Sequence, residues 1–218
     1  MKNFLNIALL SVSLFFILNA CSLRHHSGYK ETDSFELKEN DFIANHFQKV
    51  LFKTQIQALG NQASGLLFIK LMQKDDYRFV FLTQLGMKIF DVEWDNNQFK
   101  VHYLISYLDK KAVRKIIEND LKLLIRTPLL EQKTNYFLSK DKKQYLLREK
   151  VSGEFYYYAY QDHKIILKEK SNTLFEKTQI QYFYNGGNRP REIKINHSGI
   201  NIKWQLEPIK KKLKLKDQ

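Results

Sequence analysis

The residues SGLLFIKLMQKDDYRFVFLTQL, positions 64–85, decide the fold of this chain. They contain two apolar runs, Leu66–Met72 and Tyr77–Leu85, separated by the turn residues Asp75 and Asp76. Both runs have the length of a strand and are apolar at consecutive positions. A sheet with one face in water would alternate between apolar and polar residues instead. The stretch therefore predicts two antiparallel strands with both faces covered, or with one face lining an apolar cavity.

Similar short runs lie on both sides of this stretch. Lys49–Leu59 alternates before it, while Met87–Trp94 and Phe99–Ile105 follow it after turns at Gly86 and at 95–97, which predicts a five-stranded meander. Seven further runs are found at about 134–140, 144–150, 154–160, 163–169, 173–184, 191–196 and 199–206. The sequence thus predicts a mainly β protein with one large, curved antiparallel sheet.

One segment has a different period. In Asp109–Ile125, apolar residues recur every three or four positions, which predicts an amphipathic helix with Asp109 as its N-cap and Pro128 just beyond its end. A single helix cannot cover one whole face of so large a sheet. Either the sheet closes on its own side chains, or it leaves an apolar hollow that the helix partly plugs.

The N-terminus has the layout of a bacterial signal peptide. Lys2 precedes the apolar run Phe4–Leu18, and Leu18-Asn19-Ala20-Cys21 resembles a lipobox, which implies cleavage before Cys21 and lipid on its sulfur. We therefore divide the chain into a signal peptide (1–20), a lipidated tether (21–30), a folded domain (31–208) and a Lys-rich tail (209–218). Cys21 is the only cysteine, so no intramolecular disulfide is expected.

Charge and the residues after Cys21 bear on location. Ser22 stands where the enterobacterial sorting rule reads Asp as retention in the inner membrane, and the basic residues that follow differ from a surface-export signal. This resemblance implies an outer-membrane lipoprotein facing the periplasm. The net charge of +13 would otherwise suit nucleic acid, but export argues against that partner. The lysines of the tail are either a frayed end or contacts for anionic lipid headgroups: Lys210, Lys211, Lys212 and Lys214.

The order of strands and helix, with the motifs at 64–69, 77–81 and 85–93, resembles the lipoprotein-localisation factors of the LolA/LolB superfamily. That resemblance implies an incomplete β-barrel with a helical lid, whose cavity holds the acyl chains of a cargo lipoprotein or a lipid. A membrane-anchored member takes cargo from a soluble periplasmic carrier and releases it into the outer membrane. No bond is broken in this exchange, so we expect no enzyme activity and no cofactor.

By residue type, seven side chains are candidates for the cavity wall: Phe68, Phe79, Phe81, Ile89, Tyr103, Ile116 and Trp204. The enterobacterial acceptor inserts cargo with an exposed leucine on a protruding loop. In the segment that we match to that loop, Gly60–Ser64, this chain has no large apolar residue, which departs from the family pattern.

A second interpretation is a structural or partner-binding envelope lipoprotein whose sheet is filled by its own side chains. The run Tyr156-Tyr157-Tyr158, with Tyr160, would then form either an exposed aromatic ladder for a protein or a glycan, or a packed outer face. The six histidines are in no metal-ligand spacing, and we find no catalytic or phosphate-binding motif. We therefore expect a monomer that binds no metal.

Overall fold

The computed structural model describes residues 28–33, 49–58, 60–73, 76–95, 98–130, 134–172 and 177–209. The strands are β1 Tyr29–Thr32, β2 Lys49–Ala58, β3 Asn61–Gln73, β4 Asp76–Thr83, β5 Lys88–Asp95, β6 Gln98–Leu104, β7 Asn135–Ser139, β8 Gln144–Val151, β9 Glu154–Gln161, β10 Lys164–Ser171, β11 Lys177–Tyr184, β12 Pro190–His197 and β13 Ile202–Pro208. Between β6 and β7 lie a 3₁₀ turn, Ser106–Leu108, and helix α1, Lys111–Ile125.

All thirteen strands belong to one antiparallel sheet in the order β1-β7-β8-β9-β10-β11-β12-β13-β2-β3-β4-β5-β6. It consists of two meanders, β2–β6 and β7–β13, which join where β13 pairs with β2. Strands β1 and β6 remain as open edges, so the sheet does not close into a barrel. The prediction of a mainly β fold with one curved, open antiparallel sheet is confirmed.

The curvature of the sheet can be read from one aromatic contact. Phe90 of β5 and Trp204 of β13 have ring centroids 6.2 Å apart. Four strand spacings separate β5 from β13, which in a flat sheet is roughly 19 Å at about 4.8 Å per spacing. The side chains can meet only because the sheet curls, and their shared side is its concave face.

Helix α1 lies in this concave face and packs its apolar stripe against the sheet. Leu121, Leu123 and Leu124 are at most 1% exposed and belong to the same buried cluster as residues of β2–β5 and β8–β13. The helix begins at Lys111, later than predicted, and its N-cap is Lys110 without a side-chain hydrogen bond. Asp109 is therefore not the N-cap; its carboxylate instead accepts a hydrogen bond from Arg114.

Two further boundaries differ from the sequence prediction. Strand β1, at the edge beside β7, includes Tyr29 and Lys30, which we had assigned to the tether. Strand β3 begins at Asn61, and Ala58 pairs directly with Asn61, so Gly60–Ser64 is not a protruding loop. Gly60 has φ +83°, a left-handed conformation that suits such a tight hairpin.

The predicted signal peptide, the lipidation site Cys21 and the tail lysines Lys210, Lys211, Lys212 and Lys214 lie outside the described residues. Within the described part of the chain, no helix has both the length and the apolar character needed to cross a bilayer.

Candidate functional site

Four of the seven predicted wall residues meet in the concave face. Phe79 and Phe81 are fully buried, and Ile89 and Trp204 are 5% and 3% exposed. All four belong to one continuous apolar cluster that runs across both meanders and includes α1. Ile116 is partly buried on α1 and packs against the same cluster. The apolar side chains of the concave face, which we call the inner wall, therefore pack with α1 as one unit.

Phe68 and Tyr103 lie elsewhere. Phe68 stands between Leu67 and Ile69, both fully buried in the inner wall, so strand alternation points it to the convex face. Tyr103 is 43% exposed on the edge strand β6, where it pairs with Asp91. The structure therefore does not bring these two residues together with the other five.

The inner wall is filled by its own side chains. Phe52, Leu67 and Ile69 are also fully buried among the described residues. A shallow groove of about 300 Å³ lies instead over β2, β3, β12 and β13 and is lined mainly by glutamine and lysine side chains. A second depression is lined by Arg191, Glu192 and Glu207. In the described arrangement, α1 thus occupies the space that a ligand of the concave face would need.

Polar groups hold α1 in place, and the first is a buried lysine. Lys168 of β10 is 0% exposed, and its Nζ donates hydrogen bonds to the carbonyls of Leu124, at 3.1 Å, and Arg126, at 2.8 Å. Leu124 lies in the last turn of α1 and Arg126 is its C-cap, at the end where the helix lacks donors of its own and its dipole is negative. One ammonium group therefore caps the C-terminal end of α1 from the sheet.

The second group surrounds Arg126, the residue that follows α1. Its Nε donates to the hydroxyl of Tyr158 at 2.9 Å, its Nη2 lies 3.3 Å from the carboxylate of Glu149, and its guanidinium stacks 4.1 Å from the ring of Tyr156. Glu149 also accepts a hydrogen bond from the backbone of Leu129. Burial, together with the hydrogen bond to Glu154, raises the pKa of Tyr156 to about 12, so this tyrosine stays neutral.

The third group is a buried pair between α1 and β12. His197 Nε2 lies 2.7 Å from Asp120 Oδ1, and His197 Nδ1 donates to the carbonyl of Ile202 at 2.9 Å. Burial raises the pKa of Asp120. Burial lowers the pKa of His197, but the contact with Asp120 outweighs it and the net shift is upward. Both shifts keep a proton in the contact near neutral pH.

We did not predict these polar contacts from the sequence, although one signal was present. Asp120 falls in the apolar stripe of the helix, three residues after Ile117 and one before Leu121. An acid at such a position requires a buried partner. The second oxygen of Asp120 is buried and has no hydrogen-bond partner among the described residues. The identity of the partners could not be read, because they come from strands distant in sequence.

An exposed apolar turn is the second feature that sequence reasoning missed. Leu85 is 88% exposed and Met87 is 61% exposed, on either side of Gly86, which has φ +81°. The turn is closed by the Thr83 amide donating to the Met87 carbonyl at 2.8 Å and the Gly86 amide to Thr83 at 3.0 Å. Apolar residues flanking a turn glycine were the available signal. We call Leu85–Met87 the apolar turn.

The prediction that the tyrosines of β9 form an exposed ladder is wrong. Tyr156, Tyr158 and Tyr160 are at most 4% exposed and belong to the inner wall. Only Tyr157 points to the other face, where it packs against a small satellite cluster around Phe137. These strands therefore expose no row of tyrosines to a partner.

A comparison with protein-family models finds none that matches this chain, and a comparison with curated proteins finds no match either. Among the described residues, no group of three histidine, cysteine or acidic side chains is arranged to hold a metal ion. The candidate site is therefore defined by its geometry: the inner wall, the polar contacts that hold α1 over it, and the apolar turn.

Proposed function

We propose that this protein is a lipoprotein anchored through Cys21 on the periplasmic face of the outer membrane, and that its half-barrel takes up acyl chains when α1 moves off the inner wall. The cargo is a lipoprotein or a lipid, received from a soluble periplasmic carrier and released into the membrane. This is the role of the LolA/LolB-like acceptors that the sequence resembles. No covalent chemistry is involved.

The observation that carries the proposal is the apolar wall beneath a single helix. The wall extends from β5 to β8 among the described residues, and α1 with its C-cap residue contacts it at Trp94 of β5 and at Tyr156 of β9. Lys122 of α1 lies 4.5 Å from the ring of Trp94, and Arg126 lies 4.1 Å from the ring of Tyr156. If the helix moves as a unit, the exposed surface consists mainly of aromatic and aliphatic side chains. Such a surface suits acyl chains.

The polar contacts of α1 support reversible separation. A permanent core is most stable when apolar side chains fill it, since buried ion pairs often contribute less than well-packed apolar residues of the same size. Here Lys168, Asp120, His197 and Glu149 are buried between helix and sheet. Water or lipid headgroups can replace these contacts when α1 leaves. Movement of α1 then exchanges one set of hydrogen bonds for another.

The apolar turn supports the release step. Leu85 and Met87 lie at the end of the β4–β5 hairpin, whose strands also carry Phe79 and Phe81 of the inner wall. A turn of this kind inserts its two side chains into the acyl region of a bilayer at a gain of about 3 kcal/mol when both are buried. The same hairpin thus connects the acyl-binding wall to the membrane surface.

To test the proposal, α1 is fixed to the sheet by a covalent link. Lys170 Nζ and Asn119 Oδ1 are 3.2 Å apart, so cysteines at both positions can be joined by a short bis-maleimide. The full chain, in detergent, is then mixed with a fluorescent fatty acid whose emission rises in apolar surroundings. We expect the unlinked protein to bind the probe and the linked protein to lose at least nine-tenths of that binding.

The control is the single variant Asn119→Cys treated with the same reagent, which should bind the probe as the untreated protein does. Equal uptake by linked and unlinked protein would show that α1 does not gate the wall. Failure of the unlinked protein to bind any acyl probe would exclude the cavity altogether.

A further inference from the structure

The convex face of strands β11, β12, β13, β2 and β3 carries two registered rows of polar side chains. One row is Gln181, Lys194, Gln205, Gln55 and Ser64, and the other is Gln179, Asn196, Lys203, Gln57 and Gln62. Of these ten positions, seven hold a side-chain amide, two a lysine and one a serine, and none holds an acid. We call this set the amide grid. It includes most of the lining of the groove of about 300 Å³.

Neither strand propensity nor solubility accounts for this composition. The outward positions of a strand favour β-branched and aromatic residues, and none of the ten is of either kind. A merely solvated surface mixes charges of both signs. Five of the amides, on Gln55, Gln57, Gln62, Gln181 and Asn196, make no hydrogen bond to another described residue. Their donors and acceptors therefore remain available to a ligand.

Acidic residues occur only at the border of the grid, where they orient its members. Glu192 accepts a hydrogen bond from Gln205 at 2.6 Å and lies 3.4 Å from the ammonium of Lys194. On the opposite side, Glu169 accepts from Gln179 at 2.8 Å. Lys203, in the middle of its row, has no ion pair among the described residues. The centre of the grid is therefore positive.

We propose that the amide grid binds a linear saccharide that carries acidic groups. An amide both donates and accepts hydrogen bonds, as a sugar hydroxyl does, so a row of amides matches a row of hydroxyls. The strands are about 4.8 Å apart, close to the length of one sugar ring, so a chain lying across the strands meets one pair of grid residues per ring.

Two further features fit the same ligand. Lys194 and Lys203 pair with carboxylate or phosphate substituents of the chain. Phe183, on the outward side of β11 beyond Gln181, has the Lys194 ammonium 5.0 Å from its ring centroid, which helps to hold this lysine over the grid. The grid is on the face opposite α1, so this site is independent of acyl binding at the inner wall.

The test uses the full chain in detergent and measures binding of hexagalacturonate, an acidic six-ring saccharide, by calorimetry. Neutral maltohexaose should bind about tenfold more weakly because it lacks partners for the two lysines, and polyglutamate should not displace the acidic saccharide. The double variant Gln55→Ala with Gln57→Ala, and separately Lys203→Ala, should each weaken binding about tenfold or more. The matched control is Gln84→Ala with Gln98→Ala, which removes two exposed amides elsewhere and should change nothing.

A second arm separates the two sources of such a ligand. An acidic ganglioside in the same micelles is compared with its released head saccharide. Equal affinities would assign the site to saccharide alone, and tighter binding of the intact lipid would assign it to a glycolipid headgroup. The proposal is overturned if hexagalacturonate does not bind, if polyglutamate competes equally, or if the grid variants bind as the unaltered chain does. Because the covalent link on α1 should leave saccharide binding unchanged, failure here is distinct from failure of the acyl-binding proposal.

Discussion

The two faces of the sheet use the same strands in opposite ways. On β12 and β13 the inward residues Ile193, Ile195 and Trp204 are at most 3% exposed, whereas the outward Lys194 and Lys203 are polar and reach solvent. On the inner face a side chain is selected for the volume it fills. On the outer face of these two strands the side chains are polar and keep their contact with solvent. Changes of equal size should therefore have unequal effects on the two faces.

The largest contrast is expected at neighbouring residues of β4. Phe79→Ala removes a fully buried ring from the inner wall and should lower the free energy of unfolding by about 4 kcal/mol. Val80→Ala, one residue further and facing outward, should cost about 1 kcal/mol or less. Denaturant titrations of the two variants measure the difference. Equal losses would show that the two faces of β4 do not differ in packing.

A second contrast concerns two glycines. A Cβ added to Gly65 would lie 1.9 Å from the carbonyl oxygen of Leu82, so Gly65→Ala forces β3 and β4 apart. We expect a loss of about 3 kcal/mol in unfolding free energy. Gly187, in a turn with nothing within 4 Å, is the matched position, and Gly187→Ala should leave stability nearly unchanged. A Gly65→Ala protein as stable as the Gly187→Ala protein would contradict the close approach of these strands.

A third contrast compares an inner and an outer lysine. Lys168→Met removes the donor to two carbonyls at the end of α1 and leaves them buried without it, which should cost about 2 kcal/mol in unfolding free energy. Lys203→Met, on the outer face, should change the unfolding free energy by less than about 0.5 kcal/mol. Thermal unfolding monitored by circular dichroism compares them. An unchanged unfolding free energy in Lys168→Met would mean that the ammonium does not stabilise the packing of α1 on the sheet.

The smallest expected effect is a dependence of the unfolding free energy on pH. His197 has a pKa raised above its ordinary 6.5, so the folded state binds more protons than the unfolded state in the interval above 6.5. The raised pKa of Asp120 acts in the same direction. The stability that His197 contributes is complete below pH 6.5 and is lost as pH rises through its folded pKa, whereas the contribution of Asp120 begins to fall once pH exceeds 3.8. Unfolding titrations between pH 6 and pH 9 should show this decline, and His197→Gln should remove it; a parallel decline in the variant would assign it to other groups.

The regular part of the fold could be predicted from the sequence because its signals are local. Alternation and turn residues identify twelve of the thirteen strands, and the spacing of apolar residues identifies α1. Strand β1 was missed because Tyr29–Thr32 is short and polar, and it is held by pairing with β7, over a hundred residues away. Its stability comes from that partner rather than from its own residues.

The candidate site was harder to predict. The central strands are apolar on both sides, so the sequence could not show that Phe79 faces inward while Phe68 faces outward. The polar contacts that hold α1 on the sheet depend on Lys168, Glu149 and His197, which come from three strands. The amide grid is also invisible along the chain, because its rows run across strands and appear only once the register is known.

The place where β13 pairs with β2 governs how the molecule can fold. Ile202 pairs with Ala58 and Pro208 with Phe52, so the strand nearest the end of the described chain completes the sheet beside one of the earliest. Each meander can form from local hairpins, but joining them must await β13, since closing so long a loop is the slow step. Until the two meanders join, their apolar inner faces are exposed to solvent. The time that β13 needs to reach β2 therefore sets how long these apolar surfaces are open to aggregation.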